Sequence, residues 1–100
     1  MSGRLVKEVL ENAPESLSRL ELLVLVSLAE SARDENRTTR GSAAASEVIA
    51  RRVRSSTPSV RNALGALRQR ALIKPLHSRT RPGLAQQYVL TELHEWHREC

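Results

Sequence analysis

Residues 43–53 and 58–71 carry two short helical patterns, and the brevity of the break between them constrains the fold more than any other feature of the sequence. Residues 54–56 form that break. Thr57 is a favourable N-cap, and Pro58 suits the first helical position because the amide that it lacks has no partner there. The sequence therefore predicts two helices joined by a tight turn.

The helix predicted at residues 58–71 has an apolar face and a polar face. We expect the apolar face to pack into a core and the polar face to be available to a ligand. The apolar stripe consists of Val60, Leu64, Leu67 and Ala71. The opposite face carries Asn62, Gly65 and Gln69, flanked by Ser59, Arg61 and Arg68.

Two further helices are predicted before this pair. Residues 4–13 form a leader helix, and a helix over residues 19–32 follows a capping box in which Ser18 and Glu21 each satisfy an amide. The helix over 19–32 is apolar nearly all round, so either the leader helix or a second subunit covers it. Residues 34–42 are polar and contain a glycine, which predicts an exposed loop that needs no order.

A two-stranded hairpin is predicted after the second helix of the pair. Residues 74–78 and 86–90 have the composition of its strands, and Pro82-Gly83 between them is typical of a turn. Arg79 and Arg81 then lie at the tip of the hairpin. The tip is therefore expected to be basic.

The chain has the size and composition of one mostly helical domain. Its 100 residues include one Trp, one Tyr and no Phe, so Leu, Val, Ile and Ala must form the core. The predicted organisation is a leader region at 1–15, a core at 16–91 and a C-terminal helix at 92–100. Residues 20–29 are too short to span a bilayer, and the single cysteine, Cys100, excludes an internal disulfide. We therefore expect a cytoplasmic protein.

Basic residues are concentrated in one part of the sequence. Nine of the 16 Lys and Arg residues lie between Arg51 and Arg81, where there is no Asp or Glu, whereas the rest of the chain is net acidic. A surface that serves only solubility usually mixes both signs of charge. The segregation favours a nucleic acid as the ligand, because neutralised phosphates release counterions.

The order helix, helix, tight turn, helix and hairpin is that of a winged helix-turn-helix. Residues 45–73 resemble the core of MarR-like and GntR-like regulators, most specifically in Ser-x-Pro-Ser-Val-Arg-x-Ala-Leu-x-x-Leu, which starts at Ser56. The phrase Ser-x-x-Glu-Leu-Leu-Val-Leu from Ser18 is similar to the first helix of helix-turn-helix domains in actinobacterial regulators and phage and plasmid replication proteins. The resemblance covers the predicted core. The sequence departs from the regulator pattern at Arg54 and Ala71, two positions where Gly is common.

This resemblance implies a mostly α fold with minor β structure: a three-helix core, a two-stranded β-hairpin wing and extra N- and C-terminal helices. It also implies that the helix over 58–71 enters the major groove of DNA with its N-terminal residues at the base edges. The implied base contacts are Ser59, Arg61 and Asn62. The implied backbone contacts are Arg54, Ser56, Thr57, Arg68 and Lys74, and the wing at 79–83 reaches the backbone or minor groove through Arg79 and Arg81.

Residue chemistry agrees with these roles and leaves alternatives open. Arg can bond guanine O6 and N7, and Asn can bond adenine N6 and N7, each pair discriminating by about 1–3 kcal/mol. Asn62 is otherwise a plain exposed residue, and Thr57 is otherwise only a helix cap. Gln69 lies further along the helix and reaches either a flanking base or only solvent. The wing is otherwise a solvated loop. Gly65 lowers helix stability by about 1 kcal/mol relative to Ala, which close approach of DNA or of another helix would explain.

Other kinds of site have little support. His94, His97 and Cys100 recur every three residues but supply only part of a zinc shell, so no metal site is predicted. No catalytic constellation or phosphate-cradling glycine loop is present, so neither an enzyme nor a cofactor is predicted. Aromatic residues that could stack on single-stranded bases are nearly absent, with only Tyr88 near the hairpin.

These observations predict a sequence-specific protein that binds double-stranded DNA, a transcriptional regulator associated with the nucleoid, without a membrane or small-molecule partner. Plasmid or phage replication or partition is an alternative, as is a winged-helix protein-interaction module. We expect a homodimer. Its apolar surfaces are the leader helix and Leu93 and Trp96 of the C-terminal helix, unless these are buried within one subunit.

Overall fold

Four helices precede a small antiparallel sheet in the part of the chain that the computed structural model describes, residues 3–33, 35–39, 45–75 and 87–91. The helices are α1 (Gly3–Asn12), α2 (Arg19–Ser31), α3 (Ser46–Val53) and α4 (Thr57–Gln69). The strands are β1 (Ile73–Pro75) and β2 (Tyr88–Leu90). The prediction of a mostly helical fold with minor β structure is confirmed.

The start of α2 confirms the predicted capping box. Ser18 Oγ accepts from the Glu21 amide at 3.1 Å, and a Glu21 carboxylate oxygen accepts from the Ser18 amide at 2.8 Å. The start of α3 differs from the prediction, since Ala45 is its N-cap and offers no side-chain oxygen. The helix predicted from residue 43 is therefore shorter at its N-terminus.

Helix α2 occupies the centre of the core, where it packs against α1, α3 and α4. Leu5 and Val9 of α1 are both buried in this cluster, so the leader helix covers one side of α2. The stripe predicted on α4 is buried at Val60, Leu64 and Leu67, and Ala63 joins it. Ala71, predicted as part of that stripe, is exposed because α4 ends at Gln69.

Strands β1 and β2 pair antiparallel, with Ile73 opposite Leu90 and Pro75 opposite Tyr88. This confirms the predicted antiparallel pairing of two strands, and β1 begins one residue earlier than predicted. The predicted tip with Arg79 and Arg81 lies outside the described residues. The C-terminal helix predicted at residues 92–100 also lies outside the described residues. This helix would contain Leu93 and Trp96 and the potential ligands His94, His97 and Cys100.

The prediction that residues 34–42 need no order is wrong for residues 35–39. Thr39 is buried, its amide donates to the Tyr88 carbonyl at 3.0 Å, and its Oγ1 accepts from the Tyr88 amide at 3.0 Å. Thr38 pairs with Val89 in an isolated bridge. The segment therefore flanks β2 on the side opposite β1. Polarity alone predicted a loop because the partner strand is remote in sequence.

The two departures from the regulator pattern lie at left-handed backbone positions. Arg54 follows α3 with φ 58°, and Ala71 follows α4 with φ 61°. This conformation favours glycine, since a Cβ there crowds the following carbonyl. Arg54 and Ala71 thus adopt a backbone conformation that favours glycine although both carry side chains.

Candidate nucleic-acid interface

The N-terminus of α4 is capped one residue earlier than predicted. Ser56, not Thr57, is the N-cap, and its Oγ accepts from the Ser59 amide at 3.2 Å. Ser56 also donates to Ser59 Oγ at 2.8 Å. Pro58 moves to the second helical position, where a missing amide still leaves no hydrogen bond unmade. Because the Ser59 hydroxyl accepts here, its own proton is available to an acceptor outside the chain.

The exposed face of α4 divides into two edges and a middle. At 100° per residue, Arg61 and Arg68 lie along one edge, and Ser59 lies on the other with Asn62 next to it. Gly65 occupies the middle of the face. Arg61, Asn62 and Arg68 are all exposed. The helix thus brings the predicted base contacts together within its first two turns but places the arginine apart from the serine.

The edge with Ser59 and Asn62 borders α2. These two residues and Ala63 line a groove of about 270 Å³ with Ser18 and Glu21 at the start of α2. The Glu21 carboxylate is held in the capping box. Asn62 makes no hydrogen bond within the described part of the chain, so its amide can both donate and accept.

The edge with Arg61 borders α3, where sequence analysis missed a carboxylate. Arg61 Nη2 lies 3.4 Å from Glu47 Oε1, and the two side chains are 64% and 65% exposed. Glu47 was overlooked because it precedes the basic stretch and belongs to another helix. The crossing of α3 and α4 brings it next to Arg61. The absence of Asp and Glu between Arg51 and Arg81 therefore does not keep a carboxylate away from this edge of α4.

A second groove, of about 590 Å³, lies between the C-terminal half of α4 and β1. Arg68 and Gln69 line it from the helix, and Lys74 lines it from the strand. Burial raises the pKa of the Tyr88 phenol above its ordinary value, and the charge of Arg68 opposes that rise. Arg68 lines the groove beside β1, so it lies on the side of α4 that faces the sheet.

The basic residues around α4 differ in whether a carboxylate neutralises them. Arg52 pairs with Glu30, as Arg61 does with Glu47. Among the described residues, Arg54, Arg68 and Lys74 form no ion pair, and all three are exposed. Their charges are available to an anion that lies across the turn before α4 or along the groove beside β1.

Gly65 has no packing role within the described part of the chain. A Cβ built on it meets no other described atom within 4 Å, beyond the backbone of its own helix. The alternative that another helix packs closely against Gly65 therefore has no support among these residues. Close approach of a ligand to the middle of the α4 face stays a prediction.

We predict opposite effects of Gly65→Ala on folding and on duplex binding. The free energy of unfolding rises by about 1 kcal/mol, because alanine is the better helix former and its methyl group meets open space. Affinity for duplex DNA falls, because that methyl group holds the DNA away from the helix. Thermal unfolding and a duplex titration measure both effects, and an affinity that stays unchanged would contradict a close approach at this position.

A metal-binding cluster and a membrane-spanning helix are both absent from the described ranges. These ranges contain no group of three or more His, Cys, Asp or Glu residues arranged to hold a metal ion. Nor do they contain a helix with the length and apolarity needed to cross a membrane. Comparisons with protein-family models, with curated proteins and with solved structures find no match for this chain.

Proposed function

We propose that this chain is a winged helix-turn-helix protein that binds double-stranded DNA sequence-specifically and regulates transcription in the cytoplasm, at the nucleoid. The observation that carries the proposal is the exposed face of α4, which combines Arg61 and Asn62 with a middle left open at Gly65. Arginine and asparagine are the side chains that bond guanine and adenine edges in the major groove. The face is therefore suited to base readout by a helix.

Phosphate contacts in this proposal come from both ends of α4. Arg54 and the Ser56-Thr57 helix start contact the DNA backbone at one end, where helix amides favour an anion. Arg68 and Lys74 contact it at the other end, along the groove beside β1. Arg79 and Arg81 of the wing extend these contacts in the direction of the minor groove.

Duplex DNA is favoured over single-stranded nucleic acid because of the position of the aromatic residue. Tyr88, the only aromatic residue in the described ranges, is 6% exposed and cannot stack on a base.

A protein-interaction module is the second candidate class. The polar and basic α4 face favours DNA over it, because a helix that docks on a protein usually presents apolar anchors. A DNA-binding protein of plasmid or phage replication or partition would use the same α4 face and is the alternative role. We propose no catalytic activity.

We further propose that the protein acts as a homodimer. Leu10 of α1 is 61% exposed and Leu23 of α2 is 41% exposed, although Leu5 and Val9 of the leader helix are buried within the subunit. Dimeric helix-turn-helix proteins contact half-sites about 34–36 Å apart. We therefore expect a dimer to enrich an inverted repeat from a library of duplexes. Enrichment of a single half-site would contradict the homodimer.

We predict that Arg68→Gln/Lys74→Gln weakens binding to duplexes of any sequence. The slope of log affinity against log salt becomes shallower by about two, because two phosphate contacts are lost. Fluorescence anisotropy with a labelled duplex at several salt concentrations measures this slope.

The matched control is Arg4→Gln/Lys7→Gln, which removes two positive charges from α1. We expect its slope to equal that of the wild type. Equal losses in both double variants would assign the effect to net charge alone, and absence of wild-type duplex binding at moderate salt would favour the protein-interaction module.

A further inference from the structure

Glu47 places a carboxylate at the edge of an otherwise basic α4 face. It lies in the first turn of α3, and its Oε1 is 3.4 Å from Arg61 Nη2. Both side chains are largely exposed, and an ion pair of this kind contributes little to stability. An acid in the first turn also stabilises α3 itself, but that effect does not require contact between the acid and Arg61.

The chemistry of a G·C base pair matches this pair of side chains. In the major groove, guanine presents the acceptors O6 and N7, and cytosine presents the N4 amino donor next to them. A guanidinium can only donate, and an ionised carboxylate can only accept. Arg61 and Glu47 in contact thus offer a donor and an acceptor side by side, in the complementary order.

We propose that Glu47 is a specificity-determining residue that, with Arg61, recognises one G·C base pair. Arg61 donates to guanine O6 and N7, and Glu47 accepts from the N4 amino group of the paired cytosine. The inference rests on the proposed duplex binding through α4. The carboxylate has a second effect, because it repels a phosphate placed beside Arg61. It therefore disfavours contacts of Arg61 with the DNA backbone and strengthens the contrast between specific and non-specific binding.

The structure offers a matched control for testing Glu47. Glu30 of α2 is also paired with an arginine, Arg52 of α3, and its side chain is 40% exposed. Glu47→Ala and Glu30→Ala each remove one negative charge and break one ion pair. They differ in position, since Arg52 does not belong to α4. A change that appears only in Glu47→Ala therefore reports on the α4 face.

The experiment is selection of bound sequences from a randomised duplex library by wild type, Glu47→Ala and Glu30→Ala at one salt concentration. We expect a G·C position in the wild-type motif whose preference falls about fivefold or more in Glu47→Ala and stays unchanged in Glu30→Ala. A second measurement uses the selected duplex with N4-methylcytosine at that position, where the methyl group replaces the exposed amino hydrogen. Wild type loses affinity for it, and Glu47→Ala does not distinguish it from cytosine.

The outcomes separate this inference from the proposed function. A wild-type motif that Glu47→Ala retains in full overturns the role of Glu47 and leaves sequence-specific binding standing. Equal changes in Glu47→Ala and Glu30→Ala also overturn the role of Glu47, because they assign the effect to the loss of one negative charge. Absence of any wild-type motif overturns both proposals. Thermal unfolding of the two variants checks that each retains the fold.

Discussion

We expect Arg37→Met to lower the free energy of unfolding by about 3 kcal/mol, because the Arg37 guanidinium joins its own segment to α1 and to the end of β2. Its Nη1 and Nη2 donate to the two carboxylate oxygens of Glu8 in α1. Its Nε and Nη2 donate to the carbonyl oxygens of Leu90 and Thr91, both at 2.8 Å. The side chains of Arg37 and Glu8 are only 19% and 20% exposed, so water replaces these bonds poorly.

The measurement is chemical or thermal unfolding of Arg37→Met followed by circular dichroism. The control is Lys7→Met on α1, the helix that carries Glu8. Lys7 pairs with Glu11 at 3.9 Å, and its side chain is 75% exposed. We expect this control to change stability by no more than about 0.5 kcal/mol. A double-mutant cycle with Glu8→Gln isolates the pair, and we expect a coupling of about 1–3 kcal/mol. A loss below about 1 kcal/mol in Arg37→Met would show that the contacts with Glu8, Leu90 and Thr91 do not hold α1 and β2 together.

We expect Arg61→Ala/Asn62→Ala to remove most of the sequence preference proposed for α4 and to leave most of the non-specific affinity for duplex DNA. Each bidentate base contact discriminates by about 1–3 kcal/mol, so loss of two lowers the ratio of specific to non-specific affinity by roughly 100-fold. The phosphate contacts proposed for Arg54, Arg68 and Lys74 are unchanged in this variant, so we expect its salt dependence to change little. Competition between a selected duplex and a scrambled duplex measures the ratio.

The comparison variant for base recognition is Arg68→Gln/Lys74→Gln, which removes cations without touching the first two turns of α4. We expect it to lower affinity for the selected and scrambled duplexes alike. If instead it abolishes preference as strongly as Arg61→Ala/Asn62→Ala does, base readout is not confined to the start of α4. Equal affinity of the Arg61→Ala/Asn62→Ala variant and the wild type for both duplexes would contradict the assignment of these residues.

Local signals in the sequence predicted the four described helices, although α3 begins at Ser46 and not at residue 43. The capping box at Ser18 and Glu21 predicted the first residue of α2, because both of its hydrogen bonds lie within four residues. The periodicity of Val60, Leu64 and Leu67 likewise predicted the buried face of α4. The N-cap of α4 was predicted one residue late, since Ser56 and Thr57 are both good caps and only the geometry distinguishes them.

Contacts between residues remote in sequence were not predictable in the same way. Nothing near Arg37 in the sequence indicates that its partners are Glu8 and the end of β2. Thr38 and Thr39 stand in a polar segment, and their burial depends on a strand that follows much later in the chain. The same limitation concealed Glu47, whose contact with Arg61 arises from the crossing of α3 and α4.

The measurement that tests the central claim most directly is selection of sequences bound by the wild-type protein from a randomised duplex library at two salt concentrations. We predict one enriched motif that persists at the higher salt, forms an inverted repeat with half-sites about one helical turn apart and blurs in Arg61→Ala/Asn62→Ala. Recovery of no motif at either salt concentration would contradict sequence-specific binding by the α4 face.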